Sequence, residues 1–505
     1  MRRFAWLSGT SHVQRRSIAV AVVVVVVAFG SIYARRVASG YSNVDDYLYA
    51  LQSRSYLTGL GHGPRGLWGA WRSFGFQSPL VPTVALPIAA FSTNPNTLVL
   101  VQLPAAIALL VACRFLFSQL RPAGSADWAK AAAIVCLPPV LGYTAMLHFA
   151  VAATACCVGA LACYLASDRL RRLGPTLGFG LTLGLLGIAR VLAPVYFAAL
   201  LAPAAIDMLR DRQDLSLRLK RCALAGATAV LVAGPWWWLN RRSALRYLFD
   251  TGYDTGQRSP VQLLWHRLAH TADETGWLLA IAIVALMGLA LFQAVRRGNR
   301  PIVLSSVVVT LGILALATSD NTGTAFALPF VVIGACIAAS GLAGSARSTI
   351  IVAIVLAASV VLPSSSLVGQ HRPLWAVGVP GDHQAKKALG CDCQPPDTDQ
   401  LNREVLSHLV EPALVVRDDP LVNINSLKFH REGVLLLELD RGARSAPAAM
   451  LAKARTVLTG STAASFYSQF DFAAFDSELR AAGFVPTWQR RLSPANEVVV
   501  WSRAG

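Results

Sequence analysis

Two adjacent carboxylates, Asp45 and Asp46, stand shortly after an apolar stretch at residues 17–34. A carboxylate beside a bilayer is costly to keep charged unless water, a cation or a substrate uses it, so we interpret the pair as the start of an active site. Its chemistry would be general-base catalysis toward a hydroxyl group. The alternative is that both residues cap a helix predicted over residues 47–58, where negative charge at the N-terminus is favourable.

Arginines at two other places could bind an anion such as a phosphate. Arg190 interrupts two apolar helices at their predicted outer turn, where a cation needs an anionic partner or a position at the interface. The candidates in the second predicted outer loop are Arg241, Arg242 and Arg258. Their placement runs against the usual cytoplasmic bias of Lys and Arg, so we predict a phosphate-bearing ligand there. The alternative is contact with anionic lipid headgroups.

Five further residues are candidates for substrate binding: Tyr49, His148, Trp236, Asp320 and Asn321. His148 lies in a predicted outer turn and could bind a metal or a phosphate, although a single His is more often structural. Trp236 opens a run of three Trp residues and could stack on a sugar or belong to an interfacial aromatic belt. Asp320 and Asn321 lie in a loop that could reach the same site.

The composition indicates the class of protein that must position these residues. The chain has 505 residues, of which 54% are hydrophobic and 14% are charged, and its apolar runs have membrane length. Residues 1–369 carry 30 Lys and Arg against 12 Asp and Glu, whereas residues 370–505 carry 15 of each. Because the whole positive excess lies in the membrane part, it favours topology signals and phosphate contacts over nucleic-acid binding.

The apolar runs and the charges of the loops between them predict an α-helical polytopic membrane protein with about eleven transmembrane helices. The predicted helices lie at residues 17–36, 97–119, 128–143, 146–166, 175–190, 192–206, 220–239, 277–295, 301–317, 323–341 and 347–363. This count places the basic loops and the N-terminus in the cytoplasm and the C-terminus outside an inner or plasma membrane.

Two outer loops are large enough to carry chemistry, residues 37–96 and 240–276. Within the first loop, residues 80–91 are too short and too rich in Pro to span the bilayer, so they are predicted to form a juxtamembrane or re-entrant helix. Treating them as a span would reverse the side of every later loop.

Residues 370–505 are predicted to form a soluble extracytoplasmic α/β domain, distinct from a transmembrane domain at residues 1–369. Strand-like and helix-like segments alternate there, with strands expected at 413–416, 434–439 and 497–501 and helices at 402–410 and 472–482. Cys391 and Cys393 would meet an oxidising compartment that permits a disulfide, although the single intervening residue strains the ring. Whether they form one is left open.

The order of these features resembles the polytopic glycosyltransferases of the C fold (GT-C), which include the protein O-mannosyltransferases and the aminoarabinose transferases of lipid A. The resemblance rests on the acidic motif at residues 45–49, the turn Gln77-Ser-Pro-Leu80 and the segment Gly234-Pro-Trp-Trp-Trp-Leu-Asn240. It covers most of residues 1–363. The fold that it implies has an outer-face active site.

The resemblance also implies roles for residues. A sugar would be taken from a polyprenyl-phosphate carrier, with Asp45 as the base, Asp46 sharing or orienting that task, and Arg190 meeting the lipid phosphate. His148 stands where many relatives have a second Asp. Relatives often have an Arg-Tyr pair shortly before a Leu-Pro, where this chain has Ala325 and Phe326. Metal dependence is therefore left open, with a divalent ion as the one candidate cofactor.

The sequence thus predicts a membrane glycosyltransferase, a hexosyl- or pentosyltransferase, that moves a sugar to an envelope glycan, lipid or protein. Its partners would be the polyprenyl-phosphate-sugar donor, the acceptor and membrane lipids, without nucleic acid. Two alternatives are a transporter or flippase of lipid-linked saccharides and a noncatalytic envelope scaffold. A transporter should carry ionisable groups near the middle of the bilayer, whereas here they gather at the outer edge.

Overall fold

In a computed structural model the chain forms a helical bundle followed by a smaller region that contains a β-sheet, and most of it is helical. The structure describes residues 12–39, 42, 44–75, 77–122, 124, 126–249, 259–316, 324–341, 363–365, 371–373, 389, 391, 393, 396–417, 419–439, 445–460 and 470–504.

The helices of the bundle are numbered in chain order. They are α1 His12–Ser39, α2 Val44–Gly61, α3 Gly63–Ser73, α4 Leu80–Val84, α5 Leu86–Ala89, α6 Pro95–Leu98, α7 Gln102–Leu120, α8 Asp127–Val135, α9 Pro138–Thr144, α10 Ala150–Ala166, α11 Leu173–Ala189, α12 Ala193–Arg210, α13 Leu215–Phe249, α14 Pro260–Thr275, α15 Trp277–Arg297, α16 Arg300–Leu316 and α17 Thr324–Gly341. A 3-10 turn, Val99–Val101, joins α6 to α7.

Among the described residues, five helices are long and apolar enough to cross a bilayer. They lie at Arg15–Ala34, Pro95–Leu120, Ala193–Arg210, Leu215–Leu248 and Trp277–Arg297. Four shorter apolar helices accompany them, at Ala150–Ala166, Leu173–Ala189, Arg300–Leu316 and Ala325–Gly341. The chain is therefore a multi-pass membrane protein.

Two of the eleven predicted spans need separate comment. The third, at residues 128–143, is broken into α8 and α9 because Pro138 and Pro139 lack the amide donors that a continuous helix needs. The eleventh, at residues 347–363, lies outside the described residues except for Pro363, which begins a strand. Residues 80–91, predicted to form one short helix, instead contain two, α4 and α5, and neither has the length of a span.

Helices α11 and α13 pack closely against each other. A Cβ atom added at Gly180 would lie 2.4 Å from the carbonyl oxygen of Ala225, and one added at Gly184 would lie 2.7 Å from Cβ of Val232. Only glycine permits such a close approach of two backbones, as in other membrane helix pairs. The contact places the C-terminal end of α11 beside the middle of α13, where Gly187 lies against Ala233.

Ion pairs and hydrogen bonds gather at one end of the bundle, which we name the basic end. Its arginines and lysine contact residues at the ends of several helices: Arg121 with Asp127, Arg169 with Asp211, Arg300 with Asp207, Arg218 with the carbonyl of Arg169, and Lys130 with the carbonyl of Ala339. These residues belong to the loops that the charge bias assigns to the cytoplasm. The opposite end of the bundle, named the site end, holds α2, the α9–α10 turn and the α11–α12 turn.

The C-terminal region contains a five-stranded mixed sheet and a separate strand pair. Its strands are β1 Pro363–Ser365, β2 His371–Pro373, β3 Ala413–Val415, β4 Leu436–Glu438, β5 Thr456–Thr459, β6 Phe484–Ser493 and β7 Asn496–Arg503. The helices described in this region are α18 Thr398–His408, α19 Ile424–His430, α20 Ala448–Lys453 and α21 Phe472–Ala481. Strands β1 and β2 pair antiparallel.

The five-stranded sheet has the order β4-β3-β5-β7-β6, with β3, β4 and β5 parallel and β7 and β6 antiparallel. Residues on β3 alternate between two apolar cores: Val415 packs with Leu401 on one face, and Leu414 packs with Trp501 on the other. The three predicted strands and two predicted helices are present. Strands β5 and β6 were not predicted. Cys391 and Cys393 form a disulfide.

Candidate functional site

Asp45 lies in the first turn of α2 at the site end of the bundle. Its side chain is 42% exposed, and its Oδ2 atom lies 3.5 Å from Nε2 of His148. The carboxylate is therefore accessible on one side and held on the other. This is the arrangement that a base needs if it is to reach an incoming hydroxyl group while keeping a fixed orientation.

His148 lies in the turn between α9 and α10 and is buried. Its Nδ1 atom accepts a hydrogen bond from the amide of Ala150 at 3.2 Å, which places the imidazole proton on Nε2, facing Asp45. Burial, together with the charge of Arg190, holds the pKa of His148 well below its ordinary value. The side chain is thus a neutral donor that can orient the Asp45 carboxylate.

Asp46 occupies different surroundings from Asp45, because consecutive helical residues point about 100° apart. It is fully buried, its Oδ2 lies 3.0 Å from Nη2 of Arg36, and its Oδ1 accepts the amide of Leu147 at 2.6 Å. Arg36 also donates to Asn96 Oδ1 at 2.8 Å. The expectation that Asp46 shares the work of the base does not fit this position, since its carboxylate anchors α2 to α1 and to the α9–α10 turn.

Arg190 follows α11 directly and stands between two aromatic rings. Its guanidinium carbon lies 3.9 Å from the ring centroid of Phe149 and 4.3 Å from that of Phe326. Its Nη2 donates to the Tyr247 hydroxyl at 3.3 Å. Two ring faces fix the plane of the guanidinium while its edges remain available for hydrogen bonds to an oxyanion.

Asp45 and Arg190 belong to one cluster, because His148 contacts both neighbourhoods. The His148 ring lies 4.0 Å from the Phe149 ring that stacks on Arg190. Tyr49, one turn after Asp45, is also buried here, and its hydroxyl pKa is raised by burial and by Asp45 and lowered by Arg190. Tyr49 was expected to contact substrate, but in this structure neighbouring protein groups cover it.

The arginines predicted in the second outer loop have different positions. Arg241 is exposed, donates to the carbonyl of Trp238 at 2.8 Å and stacks on the Trp238 ring at 4.6 Å. Arg242 is also exposed on α13. Arg258 lies outside the described residues. Neither Arg241 nor Arg242 has a described contact with the Asp45 cluster.

Trp236 does not present a surface to a sugar in this structure. It is fully buried and packs with Val191, Ala244 and Trp71. The reason is that α3 lies against α13, where Asn240 Nδ2 also donates to the carbonyl of Trp71 at 3.3 Å. Asp320 and Asn321 lie outside the described residues, so their placement in the site stays a prediction.

The cluster also contains Phe149, Phe326, Tyr247, Tyr143 and Glu274, of which the sequence interpretation singled out only Phe326, as a departure from the family pattern. The first three surround Arg190. Tyr143 stacks on His148 with 5.2 Å between ring centroids, accepts the amide of Ala325 at 3.0 Å, and is hydrogen-bonded to Glu274. No local pattern marks them as one site, because they come from α9, the α9–α10 turn, α13, α14 and α17 and meet only in the folded bundle.

A second buried arginine, Arg267 on α14, lies near this cluster. It is completely buried, which lowers its pKa to about 10, while the nearby Tyr196 acts in the opposite direction. The Tyr196 hydroxyl donates to the carbonyl of Phe326 at 3.1 Å, next to the aromatic pair around Arg190. Cationic side chains thus approach the cluster from α11 and from α14.

An apolar groove of about 690 Å³ runs along the exposed side of α13 near the site end. Its walls include Trp68, Pro235, Trp238 and Leu245, and Arg241 lies at its edge. Its volume lies in the range of small-molecule pockets, and an apolar lining suits a hydrocarbon chain.

The described residues contain no group of three or more His, Cys, Asp or Glu side chains that could hold a metal ion. Asp45 and His148 offer two ligand atoms facing one another. None of the steps below is assigned to a metal.

Comparison with solved structures identifies the fold. The chain matches the crystal structure of ArnT from Cupriavidus metallidurans in the apo state over 96% of its own length and 97% of that chain, with 14% identity and a TM-score of 0.59. The structure of the same protein bound to undecaprenyl phosphate gives the same coverage and identity with a TM-score of 0.60.

A weaker likeness, with a TM-score of 0.48 and 11% identity, is to the apo oligosaccharyltransferase of Archaeoglobus fulgidus, covering 87% of this chain and 69% of that one. No protein-family model and no curated protein sequence matches. ArnT is an aminoarabinose transferase of GT-C type. The chain therefore shares the fold of the ArnT structures.

Proposed function

We propose that the chain is a membrane glycosyltransferase that moves a sugar from a polyprenyl-phosphate carrier to a hydroxyl group of an envelope glycan, lipid or protein on the outer face of the membrane. The observation that carries the proposal is the meeting of Asp45 and Arg190 in one cluster at one end of the bundle. The fold shared with ArnT, which was solved with undecaprenyl phosphate bound, supports the class of donor.

Asp45 is the proposed base. Its exposed edge takes the proton of the acceptor hydroxyl while the acceptor oxygen forms a bond to the anomeric carbon of the sugar. His148 does not take part in the proton transfer, because its low pKa keeps it neutral and its Nδ1 is already occupied by the Ala150 amide. Its role is to hold the Asp45 carboxylate through Nε2.

Arg190 is the proposed ligand of the leaving group. As the bond between the anomeric carbon and the phosphate oxygen breaks, the bonding pair stays with the phosphate, and the developing charge needs a fixed cation. Phe149 and Phe326 hold the guanidinium in one plane, so little reorganisation accompanies the step. Arg242 and Arg258 remain predicted contributors to phosphate binding.

The groove along α13 is the proposed path of the carrier's isoprenoid chain. Exposed apolar side chains line it, and Arg241 at its edge matches an anionic headgroup. The C-terminal α/β region, residues 370–505, is proposed to be an extracytoplasmic domain beside the site. With the odd number of spans predicted from the sequence, the N-terminus then lies in the cytoplasm. The donor sugar and the acceptor are not assigned to particular compounds.

The decisive test replaces Asp45 by Asn, which keeps the shape of the side chain and removes its basicity. We expect transfer from a polyprenyl-phosphate sugar to fall by about 10²- to 10⁴-fold, the usual contribution of a general base. The assay uses purified full-length protein in nanodiscs and measures the glycosylated product by mass spectrometry, after sugar analysis of a gene-deleted strain has narrowed the candidate donors. The matched control is Asp471→Asn, an exposed cap of α21 whose amide can still accept from Ala474.

The outcome separates the alternatives. Loss of product with normal membrane level and unchanged carrier binding supports catalysis. Full transfer activity of Asp45→Asn would reject the assigned base. Carrier flipping by purified wild-type protein without any transfer would instead favour the transporter. The absence of both flipping and transfer would favour the scaffold.

A further inference from the structure

The face of α2 turned away from the site contacts the C-terminal region. Tyr47 is fully buried, its hydroxyl donates to Asp399 Oδ1 at 2.5 Å, and it lies 3.1 Å from Oγ1 of Thr398. Its ring packs against Phe429 with 5.5 Å between centroids. One side chain of α2 therefore reaches both α18 and α19.

Further contacts join the same surfaces. His430 Nε2 lies 3.4 Å from Asp399 Oδ1, so this carboxylate stands between Tyr47 and His430. Arg54, two turns after Tyr47, donates to the carbonyl of Phe429 at 3.3 Å and stacks on the Phe429 ring at 4.7 Å. We name these five residues, Tyr47, Arg54, Asp399, Phe429 and His430, the clamp.

The clamp and the site occupy opposite faces of one helix. At about 100° per residue, Tyr49 lies about 40° from Asp45, whereas Tyr47 lies about 200° and Arg54 about 180° from it. Asp46, between the two faces, is tied to Arg36. A rotation or shift of α2 therefore changes the position of Asp45 and the fit of the clamp together.

Asp399 is anchored as an acceptor. Its own burial would raise its pKa, but the hydrogen bonds from His430 and Tyr47 outweigh burial and hold the pKa below the ordinary value. Arg403 on its own helix acts in the same direction. The ionised carboxylate is thus the form that the surrounding groups favour.

We infer that the C-terminal region is a positioning element for catalysis: through the clamp it sets the orientation of α2 and hence the distance of the Asp45 carboxylate from Arg190. This inference rests on the proposed function for its catalytic consequence, but the mechanical coupling can be measured without activity. Tyr47 and Asp399 are positioning residues, since neither contacts the Asp45 cluster through a described hydrogen bond.

The test removes one oxygen atom by Tyr47→Phe, which keeps the ring contacts with Phe429. A small displacement of a reacting group lowers the rate of chemistry steeply, so we expect kcat to fall about 10-fold or more while the Kd for undecaprenyl phosphate stays within about twofold. Amide hydrogen exchange of residues 44–61 should become faster. Asp399→Asn retains an acceptor for the Tyr47 hydroxyl and should lie close to wild type, whereas Asp399→Ala should behave as Tyr47→Phe.

The matched control is Tyr164→Phe, which removes the buried hydrogen bond from Tyr164 to Asp207 at the basic end. It should leave kcat and the exchange of α2 unchanged. Unchanged α2 exchange in both Tyr47→Phe and Asp399→Ala would overturn the clamp even if Asp45→Asn is inactive. Faster exchange of α2 supports the coupling even if Asp45→Asn stays active, which would reject only the proposed function. An equal fall of kcat in Tyr164→Phe would also overturn the inference.

Discussion

At the scale of single residues, neighbouring acids in the sequence have separate roles in the fold. Asp45 and Asp46 look equivalent in the acidic motif, but helix geometry turns one toward His148 and the other toward Arg36. The sequence predicts a functional acid at this place, because a carboxylate beside the bilayer is costly to keep charged without a partner. Which of the two is accessible depends on tertiary contacts that no local pattern contains.

Arg190 provides a prediction at this scale. Arg190→Lys keeps the charge but loses the planar group that lies between Phe149 and Phe326, so affinity for undecaprenyl phosphate should fall about 10-fold. Binding is measured by titration of the full-length protein in nanodiscs. The control is Arg296→Lys, another arginine stacked on a phenylalanine, with its guanidinium carbon 4.1 Å from the Phe292 ring centroid at the end of α15. An equal loss in both variants, or no loss at Arg190, would contradict the assigned phosphate contact.

At the scale of elements, helix packing determines which residues can meet. Hydropathy and Pro content predict most helices and the absence of a span at residues 80–91, because burial in lipid constrains length and composition strongly. The break at Pro138 and the contact between α11 and α13 were not predicted. The break depends on the amide donor that proline lacks, and the contact depends on the Cβ atom that glycine lacks. Average hydropathy records neither property.

The α11–α13 contact provides a prediction at this scale. Gly180→Ala forces a methyl group against the Ala225 carbonyl, so the two helices must separate and Arg190 must move relative to Tyr247. Overpacking of this kind usually costs about 1–3 kcal/mol. We expect a lower thermal midpoint in detergent and weaker carrier binding.

The matched control for that prediction is Gly174→Ala at the start of the same helix, where an added Cβ meets nothing within 4 Å. It should leave both measurements unchanged or slightly raise the midpoint, because alanine is the better helix former. If Gly180→Ala and Gly174→Ala had the same thermal midpoint and the same carrier binding, the close contact between α11 and α13 would be shown to affect neither.

At the scale of the whole molecule, basic residues and site residues separate to opposite ends of the bundle. The Lys and Arg content of the short loops predicts this separation, because such loops usually remain on the cytoplasmic side. The five-stranded sheet is predicted only in part: short apolar runs mark β3, β4 and β7, whereas β6 is largely exposed and its sequence is mostly polar. The docking of the C-terminal region on α2 joins residues more than 340 positions apart and leaves no local signal.

Membrane orientation provides the prediction at this scale. Alkaline phosphatase fused behind Arg503 should be active and green fluorescent protein at the same place should be dark, since the C-terminus is predicted outside. Fusions after Arg172 at the basic end should give the reverse pattern. A fluorescent C-terminal fusion would invert the proposed topology and place Asp45 on the cytoplasmic face.

Pro235 lies inside α13, as the 21st residue of a helix of 35 residues. A proline there removes one backbone hydrogen bond and loosens the helix locally. The segment beyond it carries Tyr247, which touches Arg190, and borders the apolar groove. Bending at this point would move the groove wall and the surroundings of Arg190 together, so a bulky apolar ligand seated in the groove would also change the position of Tyr247 beside Arg190.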